Sequence, residues 1–225
     1  MRKIAASALA VVAAVALTVP AQAGDADGKI QVKLLGTAVL PDGGLKAVSV
    51  DPGLPSDSQT EADDNYVPTL AVEYFFSPTV SVETICCVTQ HDVHGLDGID
   101  GAMLVSDAKI IPATFTLKFH PDTGSAFKPY VGAGPTYFLF FDEQPGATSQ
   151  DLGAVEQNLK DSFGLALQAG FDLALNDEGL ALTVDAKRYF IDVEAEWYDA
   201  DGDTILATEH DLDPWVLSAG IAYRF

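Results

Sequence analysis

The last segment of the chain alternates between two kinds of residue at every second position. One face would carry small or polar residues, and the other would carry only apolar ones: Trp215, Leu217, Ala219, Ile221, Tyr223 and Phe225. Because successive side chains of a strand point to opposite sides, a period of two predicts a β-strand whose faces meet different surroundings. This pattern constrains the fold most, since a helix could not keep those apolar residues on one side.

The same alternation recurs along the chain, and it predicts seven further strands. They run over Lys29–Val39, Thr69–Phe76, Val80–His91, Ile111–His120, Lys128–Phe141, Phe163–Leu173 and Leu180–Lys187. A strand that crosses a bilayer at a tilt needs about 9–11 residues, which these segments approach or exceed. We therefore expect eight membrane-crossing strands.

The connections between these segments alternate between short and long. Three are tight turns rich in Pro, Gly, Asn and Asp: Ser77–Thr79, Pro121–Phe127 and Asn176–Gly179. Four are long: Leu40–Tyr66, Asp92–Ala108, Asp142–Asp161 and Glu194–Asp213. Outer-membrane barrels have short periplasmic turns and longer extracellular loops. The sequence therefore predicts an all-β fold, an eight-stranded antiparallel transmembrane β-barrel with four long extracellular loops and three short periplasmic turns.

The first 23 residues have the pattern of a secretory signal peptide. Arg2 and Lys3 form a positive start, Ile4–Val19 is apolar, and Ala21-Gln22-Ala23 offers small residues for cleavage. We expect a signal peptide over 1–23 and the outer-membrane barrel over 24–225.

Acidic residues are concentrated in the four long connections. These contain 23 of the 33 acidic residues but only two lysines, Lys46 and Lys160. Such a balance disfavours nucleic acid as a partner, because phosphate binding needs basic side chains. An acidic rim is either a solvated surface or a set of carboxylates that bridge lipopolysaccharide through divalent ions. Asp199–Asp203 departs from the spacing of a calcium loop, so we expect no specific metal site.

Four stretches of the chain, taken together, form a pattern that is typical of one protein family. They are Leu70–Pro78 (LAVEYFFSP), Phe127–Glu143 (FKPYVGAGPTYFLFFDE), Ser162–Asn176 (SFGLALQAGFDLALN) and Asp211–Phe225 (DLDPWVLSAGIAYRF). In this order they resemble the OmpW family of outer-membrane proteins. The resemblance implies an eight-stranded barrel in the bacterial outer membrane with a narrow, largely apolar lumen. It also implies that the protein helps small hydrophobic compounds to cross that membrane. It implies no catalytic activity and no cofactor.

The inward faces of the predicted strands carry charged residues: Lys33, Glu73, Glu83, Lys118, Asp172, Asp185, Lys187 and Arg224. An eight-stranded barrel leaves room for little more than side chains or one small ligand. Since an unpaired buried charge is costly, we expect ion pairs among these residues that close the periplasmic half of the lumen. A purely structural role is the alternative.

Inward aromatic residues suggest an apolar pocket in the same barrel. Phe75, Thr136, Phe138 and Phe140 are expected in the outer half, and Tyr130 nearer the periplasm. Such a pocket would suit a hydrophobic guest, although aromatic residues on strands also serve packing alone.

Two prolines, Pro112 and Pro135, fall inside predicted strands of a closed wall. Each lacks the N–H that a ladder needs. We expect the intervening turn to set His120 opposite Lys128, which would place both prolines at one level of the wall. The hypothesis is a local defect that releases an apolar solute sideways into the membrane, and a tolerated bulge is the alternative.

The function that these features favour is a narrow passive channel or carrier for small hydrophobic molecules. The alternative is a non-transporting structural or partner-binding barrel that acts through its acidic loops. We expect no enzymatic activity, because no catalytic set of Ser, His and Asp is indicated. Cys86 and Cys87 are interpreted as small apolar strand residues. The terminal Phe225 resembles the signal that outer-membrane assembly machinery recognises.

Overall fold

The computed structural model describes residues 25–225, so the expected signal peptide lies outside the described residues. In chain order the elements are β1 (Ile30–Leu40), β2 (Leu45–Val50), β3 (Gln59–Ala62), β4 (Asn65–Ser77), β5 (Val80–Cys86), β6 (Thr89–Leu96), β7 (Met103–Phe119), β8 (Phe127–Phe141), β9 (Gln144–Pro145), α1 (Ala147–Asp151), β10 (Glu156–Leu159), β11 (Ser162–Ala174), β12 (Leu180–Phe190), β13 (Asp192–Tyr198), β14 (Thr204–Asp211) and β15 (Trp215–Arg224). No helix within residues 25–225 is long and apolar enough to cross a membrane.

Eight wall strands form a closed antiparallel barrel, which confirms the predicted fold. Each wall strand pairs with its neighbours in the chain, β5 and β6 together forming the third. The barrel closes where β1 pairs with β15, from Gln31 opposite Arg224 to Leu40 opposite Trp215. The Phe225 N–H extends this seam with a 2.8 Å hydrogen bond to the Ile30 carbonyl.

The wall strands expose one face and bury the other, as the alternation predicts. On β15 the large apolar residues Trp215, Leu217, Ile221 and Tyr223 are 40–49% exposed, while Val216 and Ala222 are buried. An exposed apolar band of this kind is the surface that lipid covers in an outer-membrane barrel. The buried positions face the lumen.

The third wall strand is interrupted, which corrects the continuous strand expected over Val80–His91. β5 ends at Cys86 and β6 begins at Thr89. β5 pairs with β7 as far as Thr84 opposite Phe115, and β6 resumes pairing at Thr89 opposite Ile110. The segment of β7 that contains Pro112 therefore has no ladder on this side. A proline without an N–H at this place removes one of the bonds that would have bridged the gap.

The seam between β7 and β8 has a different register from the one expected. Pro112 lies opposite Phe138, two residues along from the expected partner Thr136. The side chains of Asp122, Thr123 and Ser125 bond within the turn and keep more residues out of the ladder. A shift of two residues leaves the facing of every side chain unchanged.

The same seam is also interrupted, between Thr114 opposite Thr136 and Leu117 opposite Ala133. Pro135 falls in this interruption, and its outward side is exposed. The two prolines thus accompany two separate gaps on either side of β7. They are not at one level of the wall, as the expected register had placed them.

The long connections are folded above the barrel. β10, β13, β14 and β2 form a separate four-stranded sheet, while β3 pairs with β6 and β9 with β7. Leu104, Ala195, Trp197 and Leu206 pack together beneath this sheet. The extracellular segments therefore extend the barrel as a roof with an apolar inner face.

Candidate functional site

A cluster of charged side chains crosses the lumen, and we call it the charged plug. Its members are Lys33, Glu73, Glu83, Lys118, Asp185 and Lys187, each no more than 4% exposed. They project inward from five wall strands, β1, β4, β5, β7 and β12, because each occupies an inward position of its alternation. The barrel thus gathers charges that are far apart in the chain.

Glu83 joins the three lysines of the plug. Its Oε2 lies 2.8 Å from Lys33 Nζ and 2.9 Å from Lys118 Nζ, and its Oε1 lies 3.0 Å from Lys187 Nζ. Lys118 donates a second hydrogen bond, to Glu73 Oε2, at 2.8 Å. Every lysine of the plug therefore has a carboxylate partner, which compensates for the loss of hydration.

Tyr130 completes the plug from β8. Its hydroxyl donates to Asp185 Oδ2 at 2.9 Å, and the Lys118 ammonium lies 3.6 Å from the centre of its ring. Gly170 makes room for it, since a β-carbon there would come within 2.5 Å of the tyrosine hydroxyl. The plug is therefore a packed, hydrogen-bonded partition across the lumen, with every charged member at most 4% exposed.

A polar vestibule of about 300 Å³ lies on the periplasmic side of the plug. Asp172 borders it, with one carboxylate oxygen accepting from Gln31 Nε2 at 2.9 Å. Phe75 also lines the vestibule, with its ring 5.1 Å from His120. Phe75 was expected in the outer half of the lumen, and this expectation is wrong because β4 reaches its periplasmic turn only two residues later.

Arg224 borders the vestibule but forms no ion pair within residues 25–225, contrary to expectation. Its Nε donates to the Gly28 carbonyl at 2.6 Å, and the guanidinium lies 3.6 Å from the centre of the Phe75 ring. A peptide carbonyl and an aromatic face therefore hold this cation where a carboxylate was expected.

An apolar pocket of about 90 Å³ lies on the extracellular side of the plug. One water needs about 10–15 Å³ on this scale, so the pocket is large enough for a small guest. Phe138 and Phe140, two of the residues expected in the outer half of the lumen, line this pocket. Other lining residues are Tyr189, Ile110, Trp197 and Leu104. Its lining comes from the barrel wall and the roof alike.

Tyr189 and a pair of threonines lie between this pocket and the charged plug. Thr114 donates to the Tyr189 hydroxyl at 3.3 Å and shares a 2.8 Å hydrogen bond with Thr136. All three residues are at most 1% exposed. This layer lets an apolar cavity sit next to charges without leaving polar groups unpaired.

The gap in the strand pairing between the third wall strand and β7 borders the pocket. Pro112 on β7 and Cys87, which follows β5, face each other across the gap, and both line the pocket. Ile85 on β5 and Ile110 on β7 lie next to the gap and line the pocket as well. Cys86 and Cys87 are free thiols. Cys86 ends β5 as a strand residue, as expected, whereas Cys87 lies in the break before β6, so its interpretation as a strand residue is wrong. Pro135 points outward and is not among the residues that line the pocket.

The part of the pocket that belongs to the roof was not predicted from the sequence. Trp197 is 2% exposed and donates to the Leu104 carbonyl, although it falls in a segment expected to be an acidic loop. The signal was present, because Val193, Ala195 and Trp197 alternate with acidic residues at a period of two. Because the segment is highly charged, it was predicted as a loop although it forms a strand.

The outer face of the roof carries paired charges. Lys46 contacts Asp192 at 3.0 Å, Asp211 at 3.1 Å and Glu209 at 3.3 Å. The hydrogen bond to Asp192, followed by that to Asp211, raises the pKa of Lys46, and the same bond lowers the pKa of Asp192. Across residues 25–225 no three His, Cys, Asp or Glu side chains are grouped as a metal site would require.

Comparisons with known proteins agree with this architecture. The sequence profile of the OmpW family matches residues 26–225. The outer-membrane protein y4mB of Sinorhizobium fredii is 34% identical over 92% of this chain and 85% of its own length. Outer membrane protein W of Vibrio cholerae is 29% identical over 79% of this chain and 82% of its own. The crystal structure of OprG from Pseudomonas aeruginosa superposes with a TM-score of 0.79 at 29% identity, covering 90% of this chain and 98% of that one.

Proposed function

Because this chain belongs to the OmpW family of bacterial outer-membrane proteins, we propose that it lets small hydrophobic molecules pass from the cell exterior into the outer membrane. The guest would enter the apolar pocket from the extracellular side. It would leave sideways through the wall gap beside Pro112, because the charged plug blocks the straight path. The observation that carries this proposal is that one apolar cavity borders both the roof and the gap.

Physical chemistry favours the sideways route. An apolar solute that crossed the plug would have to separate buried, hydrogen-bonded ions, which is expensive. The gap instead joins an apolar cavity to an apolar surface, so the solute would not meet water on the way. Phe115, which borders the gap on β7, is 55% exposed on the outside of the wall.

The test measures the rate at which an apolar fluorophore enters vesicles that contain the protein and carry lipopolysaccharide in the outer leaflet. Serum albumin inside the vesicles traps the fluorophore and reports its arrival. We expect Pro112→Ala with Pro135→Ala to slow entry severalfold, since both N–H groups can then rejoin the ladder. Unchanged entry would overturn the sideways route.

A second measurement blocks the pocket after folding. In a Cys86→Ser variant, Cys87 is the single thiol of the described chain, and it lines the pocket. Labelling with N-phenylmaleimide should stop the flux of this variant. A Cys87→Ser variant, in which the remaining Cys86 lies outside the pocket lining, is the matched control. If entry into vesicles that carry the protein is no faster than entry into protein-free vesicles, the barrel is a non-transporting one that acts through its loops.

A further inference from the structure

The apolar pocket contains a polar patch, which we call the polar pole: Thr60, Thr89, His91 and His210. Asp211 also lines the pocket, and its carboxylate contacts Lys46 at 3.1 Å. The four residues of the polar pole come from three elements that are separate in the chain: β3, the wall strand β6 and the roof strand β14. Thr60, Thr89 and His91 are 4–6% exposed. Sealing a cavity against water would not require polar groups, and each buried polar group must find hydrogen-bond partners. The partners of these four residues therefore indicate what the pocket can bind.

His91 fixes the role of Thr89. The Nδ1 of His91 bonds the Asp63 carbonyl, and a carbonyl can only accept, so Nδ1 carries the proton. In the neutral ring Nε2 is then an acceptor, and Thr89 Oγ1 donates to it at 2.8 Å. The Thr89 hydroxyl has no other hydrogen-bond partner among the described residues. Its lone pairs are left as acceptors toward the pocket.

His210 leaves Thr60 in a similar state. Its Nδ1 lies 3.1 Å from Thr60 Oγ1, and its Nε2 lies 2.7 Å from Thr208 Oγ1. A neutral imidazole donates through one nitrogen and accepts through the other, so each threonine keeps hydrogen-bonding capacity. Burial lowers the pKa of His210 to about 4, which keeps the ring neutral near pH 7. The bond to His210 is the single side-chain hydrogen bond of Thr60 within residues 25–225.

We propose that the polar pole is a hydroxyl-binding subsite, so that the preferred guests are apolar molecules with one neutral hydroxyl group, such as long-chain alcohols or phenols. A guest hydroxyl can donate a hydrogen bond to Thr89 and form a further hydrogen bond with Thr60. The apolar part of the guest then fills the rest of the pocket. A bare hydrocarbon would leave the remaining hydrogen-bonding capacity of the Thr60 and Thr89 hydroxyls unused, and a carboxylate would bring an uncompensated charge next to neutral rings. This inference rests on the proposed function, since it assumes that guests enter the pocket.

The chain supplies its own reporter for the test. It has two tryptophans, Trp197 in the pocket wall and Trp215 on the lipid-facing side of β15. A Trp215→Phe variant therefore reports pocket occupancy, and a Trp197→Phe variant reports partition into lipid. Both are reconstituted in vesicles and titrated with 11-bromoundecan-1-ol or 1-bromoundecane, since bromine in contact with tryptophan quenches its fluorescence.

We expect the alcohol to quench Trp197 at about fivefold lower membrane concentration than the bromoalkane, which corresponds to about one hydrogen bond. The Trp215 signal supplies the membrane concentration of each probe. Adding Thr60→Val with Thr89→Val should bring the two probes to equal potency, because valine keeps the shape and removes the hydroxyl. Thr183→Val is the matched control: Thr183 is a buried threonine of β12 that lies outside the pocket lining, and its hydroxyl has no hydrogen-bond partner in the part of the chain that the structure describes. That variant should keep the preference.

Equal quenching by the two probes in the Trp215→Phe protein would overturn the hydroxyl subsite and leave the proposed function in place. A preference that survives Thr60→Val with Thr89→Val would also overturn it. If neither probe quenches Trp197 while both quench Trp215, the pocket does not take up guests. That result would overturn the proposed function as well.

Discussion

The Tyr130 hydroxyl occupies the space that a side chain on Gly170 would need. The two residues are paired across β8 and β11, and a β-carbon on Gly170 would lie 2.5 Å from the hydroxyl oxygen. The same hydroxyl bonds Asp185, which is itself 2.6 Å from Lys187. The absence of a side chain at one wall position therefore allows an aromatic ring to complete the charged plug.

The β-carbon of Gly170→Ala would lie 2.4 Å from the Val184 carbonyl oxygen and 2.5 Å from the Tyr130 hydroxyl, so it should displace Tyr130 from Asp185 and shift the adjoining strand β12. We expect the free energy of unfolding to fall by about 1–3 kcal/mol, the usual effect of an added methyl group in a packed interior. Urea unfolding in lipid vesicles measures this. Gly36→Ala on β1 is the control, since a β-carbon there would meet its nearest atom at 3.9 Å. Equal stability of the two variants would contradict this account of Gly170.

Lys118→Met should leave Glu73 and Glu83 with one fewer cation each. Breaking a buried ion pair from one side costs about 3–5 kcal/mol, so we expect a large loss of stability in the same unfolding assay. A second change, Glu73→Gln, should recover part of this loss because it removes a carboxylate that has lost a partner. Lys128→Met, at the rim of the vestibule, should have little effect. A double variant no more stable than Lys118→Met alone would refute the coupling.

Acidification should loosen the roof through His210. Burial lowers the pKa of this residue from 6.5 to about 4, so between these values the unfolded chain binds a proton that the folded roof does not. Stability is therefore complete above about pH 6.5 and falls as the pH drops toward 4, by an amount on the order of 1–3 kcal/mol. Trp197 emission in a Trp215→Phe background, followed from pH 7 to 4, reports the loosening.

His210→Asn should weaken this pH dependence, because its titrating group is gone; the part that remains is expected from His91, whose pKa is also lowered by burial. His94→Asn is the matched control, since His94 is a half-buried residue on β6 that does not line the pocket. A profile that His210→Asn leaves unchanged would assign the loosening to other groups, such as the carboxylates around Lys46.

The charged plug could be anticipated from the sequence, and the pocket only in part. Lys33, Glu83 and Lys187 fall on inward positions of their strands, and a narrow barrel forces inward charges together. By contrast, Trp197 and His210 belong to acidic segments that the sequence indicated as loops. Their part in the pocket depends on how segments far apart in the chain pack above the barrel.

Register shows the same division on a smaller scale. The period of two determined that Pro112 faces inward and Pro135 outward, and it is insensitive to a shift of two residues. It could not determine that Pro112 lies opposite Phe138, because the side-chain hydrogen bonds within the turn decide how many residues the turn contains. The two separate gaps beside β7 follow from that choice.

The sequence by itself determined the wall of this protein: eight strands, the faces that meet lipid and lumen, and the charges that cross the lumen. It could do so because strand facing is a local property, set by backbone geometry within each segment. Only the tertiary structure decided the interrupted third strand, the roof, and the meeting of Thr60, His91 and His210 in one apolar pocket. These features depend on contacts between distant segments, and no local period encodes which of those segments will touch.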